Sequence, residues 1–160
     1  MSKTDDLFRI AQDLANQWPR FYERLGPGHG DRATHAYMTE LNARALRDFG
    51  QRYHQQQISG DNAMSVDFYF PDEATIVEVA MSLRNSNSEF ERDVLKAIMA
   101  QEAGNPVTHL IFLSKPGGHA RSQAPSSQAI IAWAQAAHGL TVEVREFGVV
   151  AETIIDTADE

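Results

Sequence analysis

The sequence predicts a layered α/β domain in which helices pack on a mixed β-sheet. Three observations carry this expectation. Apolar residues recur at helical spacing in several separate stretches. Two β-branched and aromatic runs, SVDFYF and TIVEVAM, are separated only by the turn-like PDEA, which reads as an antiparallel hairpin. Downstream, strand-like runs alternate with helical ones, as parallel crossovers require.

The elements follow in the order ααβββαβαβ. A first helix fits residues 4 to 24, with Thr4 as its cap and Leu7, Ile10, Ala11, Leu14, Trp18 and Phe21 as an apolar stripe. GPGHGD interrupts it. Asp31 can cap a second helix that runs to Phe49, with Ala36, Leu41, Ala45, Leu46 and Phe49 inward and Gly50 as the stop. YHQQQIS is a weak strand signal, and the hairpin runs follow. Ser88 opens a third helix to about Glu102, with Phe90, Val94, Leu95, Ile98 and Met99 inward, and Gly104, Asn105 and Pro106 close it. VTHLIFLS is almost continuously apolar, the pattern of a strand covered on both faces. After the turn-like KPGGHARSQAP, a fourth helix over SSQAIIAWAQAAHG leads into a last strand, LTVEVREF. Trp18 and Trp133 both occupy helical apolar positions that predict core packing, and His109 falls at the core or rim of its strand.

The chain has 160 residues, a formal charge of −8, no Cys, ten Gly and six Pro. That length suits one domain: an N-terminal helix and loop over 1–33, a core over 34–147 and an acidic tail over 148–160. The composition excludes collagen-like, disulfide-scaffold and wholly disordered classes. Without Cys there are no disulfides, thiolate zinc sites or Cys nucleophile. No apolar run approaches the ~20 residues that span a bilayer, and MSKTDDLFRI lacks the apolar centre of a signal peptide. A soluble, cytoplasmic protein with no membrane association is expected.

The charge is unevenly spread. Residues 53–83 hold Asp61, Asp67, Asp72, Glu73 and Glu78 with no Lys or Arg, and residues 143–160 hold six acids against Arg145. These two stretches carry −5 each, so the rest of the chain is +2. An acidic total speaks against a general nucleic-acid coat. Its concentration in one central span points instead to a site that needs a cation.

Within that span, a four-residue PDEA loop sets Phe70 opposite Thr75, and counting back sets Asp67 opposite Glu78. Directly opposed residues share a face with Cβ atoms roughly 4.5–5.5 Å apart, where two like charges repel unless a proton or cation intervenes. Hard oxygen ligands and no Cys suit Mg²⁺, with Mn²⁺ as a substitute. Val66, Phe68, Phe70, Val77, Val79 and Met81 form one apolar face, which leaves Asp67, Tyr69, Ile76, Glu78 and Ala80 on the other.

Asp67 on one strand followed by Glu78-Val79-Ala80 on the next, inside an αβββαβ order, resembles the PD-(D/E)XK nuclease superfamily, the restriction-endonuclease-like fold. EVAMSLRNSNSEFERDVLKAIMAQ followed by THLIFLS is similar to the stretch of type II restriction enzymes that leads from the catalytic strand through its crossover helix to the next strand. The resemblance covers residues 34–147 and implies a Mg²⁺-dependent endonuclease that hydrolyses DNA phosphodiester bonds. It assigns Asp67 and Glu78 to the metal and matches Glu40 to an additional metal-site carboxylate. It also implies a homodimer, since a duplex needs two cuts. Two departures stand out: Val66 replaces the motif's Pro, and Ala80 replaces its Lys. Glu89, Arg92 and Lys96 fall on one helix face, which makes Lys96 the replacement for that Lys and Arg84 the second choice. Arg92, together with Lys115 and Arg121 of KPGGHAR, would contact nucleic acid. The Ala80 departure keeps a second expectation open, a catalytically inactive nuclease fold that serves as a nucleic-acid-binding or protein-interaction module.

Other motifs carry less. His29 and His35 match no zinc spacing, KPGGHAR lacks the Walker spacing, and Ser114 with His119 lacks a nucleophile elbow.

Overall fold

A computed structural model of the chain describes residues 2–23, 29–81 and 89–148. Arg84 and the acids from Glu152 onward lie outside the described residues. The elements are α1 (Lys3–Gln17), α2 (His29–Phe49), β1 (His54–Gln56), β2 (Val66–Phe70), a 3-10 turn (Pro71–Glu73), β3 (Thr75–Val79), α3 (Glu89–Glu102), β4 (His109–Ser114), α4 (Gly118–Ser122), α5 (Pro125–His138) and β5 (Thr141–Glu146). The five strands form one sheet in sequence order; β1–β2 and β2–β3 are antiparallel, β3–β4 and β4–β5 parallel. The fold is therefore α/β with a mixed sheet.

Local chemistry explains where the observed bounds depart from expectation. The first helix stops at Gln17, not near residue 24, because Trp18 precedes Pro19 and adopts an extended conformation. Its cap is Ser2, whose hydroxyl accepts the Asp5 N–H at 3.0 Å. Thr4 instead donates its hydroxyl to Glu73 at 2.7 Å. The short β1 keeps only three residues of YHQQQIS, and KPGGHARSQAP contains a one-turn helix.

Helices cover both faces of the sheet. On one, Leu7, Leu14, Tyr37 and Leu41 of α1 and α2 pack on Phe68, Phe70, Val77, Ile111 and Leu113. On the other, Phe90, Val94 and Ile98 of α3 and Ala134 of α5 pack on Tyr69, Ile76, Leu110 and Phe112. Double coverage explains why Leu110 to Leu113 are all buried. Val66 joins the α3 side, against the expected alternation. Trp18 packs edge-on against Tyr37. Trp133, by contrast, is 48% exposed; α5 is apolar on almost every side, so its periodicity could not tell which face turns inward. His109 is also exposed, with Nδ1 2.8 Å from the Thr108 hydroxyl. Among the described residues, no helix is long and apolar enough to cross a membrane.

The fold disperses the acids of residues 53–83. Glu73 accepts the Lys3 and Thr4 N–H groups at the N-terminus of α1, at 2.7 and 3.2 Å, and Asp72 pairs with the Lys3 ammonium at 2.7 Å. The turn is thereby clamped to the first helix, and Asp67 and Glu78 lie apart from it at the other end of the hairpin.

Candidate active site at the open end of the hairpin

The β2–β3 register sets Phe70 opposite Thr75, Tyr69 opposite Ile76 and Phe68 opposite Val77. One further step sets Asp67 opposite Glu78, on the face that carries Tyr69 and Ile76 toward α3. The pair sits at the open end of the hairpin, away from the turn. The Val79 N–H donates to Asp67 Oδ2 at 2.8 Å, and the Asp67 N–H reaches Glu78 Oε2 at 3.4 Å.

The first turns of α3 form the facing wall. Lys96 Nζ stands 3.1 Å from Glu78 Oε1 and 2.8 Å from Asp93 Oδ1, and it donates to the Ser65 carbonyl at 2.8 Å. Ser59 fixes the helix backbone here by donating its hydroxyl to the Lys96 carbonyl at 2.9 Å. Between the walls lies a cleft of about 220 Å³, lined by Asp67, Glu78, Ala80, Glu89, Arg92, Asp93 and Lys96 among others.

This cleft concentrates buried charge. Burial pushes the Asp67 carboxyl above its usual range, with the Val79 N–H and the Lys96 ammonium opposing. Glu78 is held well above its usual range by burial and by the neighbouring Asp67 and Asp93 carboxylates. Asp93 is also raised, first by burial, against the pull of Lys96. Burial works against the charge on Lys96, but Glu78 and Asp93 outweigh it, and its pKa rises. Burial and mutual repulsion favour a retained proton on the Asp67–Glu78 pair; a bound cation would draw it off, and the three carboxylates with one ammonium would then carry a surplus of two negative charges. Glu78 Oε1 is buried, with the Lys96 ammonium 3.1 Å away as its ion-pair partner.

The donor set suits a small divalent cation. Asp67 and Glu78 supply hard oxygens, and the two charges they carry once ionised match a +2 ion. Mg²⁺ commonly takes only one or two protein carboxylates and keeps waters for its other positions. Among the described residues, no three His, Asp or Glu side chains converge as a complete cage.

Of the residues predicted from sequence, Asp67, Glu78, Lys96 and Arg92 come together around this cleft. Glu40 does not. It lies on α2, whose buried residues pack on the opposite face of the sheet, and pairs with Arg44 at 3.2 Å and Arg47 at 3.9 Å. Lys115 follows β4 and lays its ammonium over the Phe21 ring, 4.9 Å from the centroid, where burial lowers its pKa. Arg121 is on α4, packed beside Gly117. The N–H groups of this turn serve the chain's own Glu146, which accepts from Gly117 and His119. Arg84 falls outside the described residues. Asp93 was not anticipated; the only signal for it was its place three residues before Lys96, one turn away on the same helix face.

No known protein family, curated protein or solved structure matches the chain.

Proposed function

We propose that the protein is a Mg²⁺-dependent endonuclease of restriction-endonuclease-like fold that hydrolyses DNA phosphodiester bonds. The observation that carries this reading is the meeting, in one cleft, of the opposed Asp67–Glu78 pair with the Lys96 ammonium, 3.1 Å from Glu78. Ala80 stands where the motif Lys of the resembled family would stand, and the ammonium of Lys96 enters the same cleft from the neighbouring helix.

In this reading Asp67 and Glu78 hold the divalent ion, with Mn²⁺ as a substitute. When bound, the ion supplies Lewis acidity toward a phosphoryl oxygen and lowers the pKa of a coordinated water. The chain's own residues do the rest. Lys96 places a positive charge at the cleft, where it orients water and offsets the charge that develops on the phosphate. Arg92, exposed at the rim, contacts the phosphate backbone. Cutting both strands of a duplex then takes two copies of the cleft, as in a homodimer. The surface contribution of Lys115 and Arg121 would come from outside this cleft.

A second reading has its own observation. All three acceptors around Lys96 Nζ belong to the protein, so the ammonium is satisfied without any ligand, as in a buried ion network. That arrangement suits an inactive nuclease fold acting as a nucleic-acid-binding or protein-interaction module.

Cleavage of supercoiled plasmid in Mg²⁺ or Mn²⁺ separates the two. Lys96→Met is expected to slow nicking at least ~100-fold, in the range for loss of a positioned proton-handling group. Adding Ala80→Lys to that variant is expected to return at least a tenth of the rate. Wild-type nicking by a folded Lys96→Met variant contradicts the assignment of Lys96, and no nicking by the wild type under any of these conditions supports the inactive module.

A further inference from the structure

We propose that Asp93 is a positioning residue that, with the Ser65 carbonyl, anchors Lys96 independently of the Asp67–Glu78 pair. This inference rests on the nuclease reading and deepens it.

The contacts around the ammonium are unequal. Lys96 Nζ is 2.8 Å from Asp93 Oδ1 and 2.8 Å from the Ser65 carbonyl, whereas Glu78 Oε1 is 3.1 Å away. An ammonium has three N–H donors. Two are satisfied by the shorter contacts, one to α3 and one to the segment before β2. The third is left for the longer contact with Glu78 Oε1, on the cleft side. A carboxylate oxygen has two lone pairs, so Glu78 Oε1 can keep this contact and still offer one to a metal, and metal binding does not require Lys96 to leave.

Charge divides the same way. With a +2 ion drawing the protons off them, Asp67 and Glu78 together balance that ion, Asp93 balances Lys96, and Glu89 and Arg92 offset each other in the same lining, so the cleft resolves into neutral groups side by side. This division matters because buried charges persist only when paired. Without Asp93, a cation at the carboxylate pair would repel a lysine held away from solvent by the Ser65 carbonyl alone. With Asp93 the ammonium stays beside the metal, its third N–H available to water or phosphate. Asp93 itself does not touch the reacting atoms.

Only three lysines occur in the chain, Lys3, Lys96 and Lys115, so acetylation of amines read by mass spectrometry isolates Lys96 cleanly. The measurement uses the full chain with and without Mn²⁺, together with Mn²⁺ binding by calorimetry and steady-state cleavage. In the wild type, Lys96 is expected to stay protected after Mn²⁺ is added. In Asp93→Asn, Mn²⁺ is expected to raise its acetylation at least fivefold and kcat to fall at least tenfold, while Mn²⁺ affinity and KM stay within threefold. Asp93→Glu is expected to recover protection, which a merely destabilised fold would not. Protection and kcat unchanged in Asp93→Asn, or exposure of wild-type Lys96 by Mn²⁺, overturns the positioning role while leaving the nuclease reading intact. Failure of the wild type to bind Mn²⁺ or to cleave overturns the nuclease reading and this inference with it.

Discussion

At Asp67 the chain keeps a buried carboxylate directly across a hairpin from a second one, an arrangement that costs stability wherever both are charged. The carboxyls of Asp67 and Glu78 are both raised, first by burial. Asp67→Asn tests this cost, because an Asn oxygen can still accept the Val79 N–H. Without metal, this variant is expected to melt higher than the wild type at pH 8, by about 1 kcal/mol or roughly 2–4 °C. The sign follows from linkage. Below the ordinary carboxyl value of about 4, Asp67 is protonated in both folded and unfolded chains and the advantage of Asn vanishes. As pH rises, the unfolded chain gives up the proton first, so wild-type stability declines through the raised folded pKa and the variant's advantage appears. A variant that melts lower at pH 8, or an advantage of the same size at pH 4, contradicts the electrostatic origin. At this scale the sequence is a good guide to the strand acids, since a period of two and a short loop determine which residues face each other. It is a poor guide to Asp93, because a carboxylate three residues from a lysine occurs on many solvated helix faces, and only the buried position of Lys96 gives the pair its meaning.

The hairpin as an element depends on its turn. Ala74 lies in the left-handed region at φ 48°, a conformation that costs a residue with a Cβ. Its carbonyl accepts both the Thr108 and His109 N–H groups, at 2.7 and 3.1 Å, and so sets where β4 begins alongside β3. Ala74→Gly relieves the steric cost while keeping that carbonyl, and is expected to raise the urea midpoint by an amount worth up to about 1 kcal/mol. A lower midpoint contradicts the strain. PDEA was legible as a turn because Pro and Asp mark one, but the left-handed Ala was not, since nothing in an alanine announces it. The helices show the same division. Gly50, with φ 66° and its N–H on the Leu46 carbonyl, ends α2 where the sequence places the stop. The end of α1 was misplaced by several residues because the apolar stripe continues through Trp18 and Phe21, which reach the core from outside the helix. Burial was legible there; helical conformation was not.

Across the whole molecule, the acidic balance takes on a different meaning once the chain is folded. Of the five acids between residues 53 and 83, Asp72 and Glu73 clamp the turn to α1, and only Asp67 and Glu78 face the cleft. The sheet separates two environments. Its α1–α2 face is a dense aromatic core around Phe21, Tyr37 and Phe147, and its α3 face carries the cleft. This separation was partly legible, because the hairpin alternates between a wholly apolar face and a mixed one. The sequence could not place Glu40 relative to that boundary: helical periodicity locates a residue on its own helix, and the side of the sheet on which α2 lands is decided by packing over the entire chain. Whether the acid pair and Lys96 form a metal-dependent hydrolytic site is decided by single-turnover cleavage of an end-labelled DNA duplex. Wild type and Asp67→Asn are compared in Mn²⁺ and in EDTA. Cleavage by the wild type in Mn²⁺, abolished by EDTA and reduced at least ~100-fold in the folded variant, is the predicted result; equal cleavage by both proteins, or none by the wild type, would contradict it.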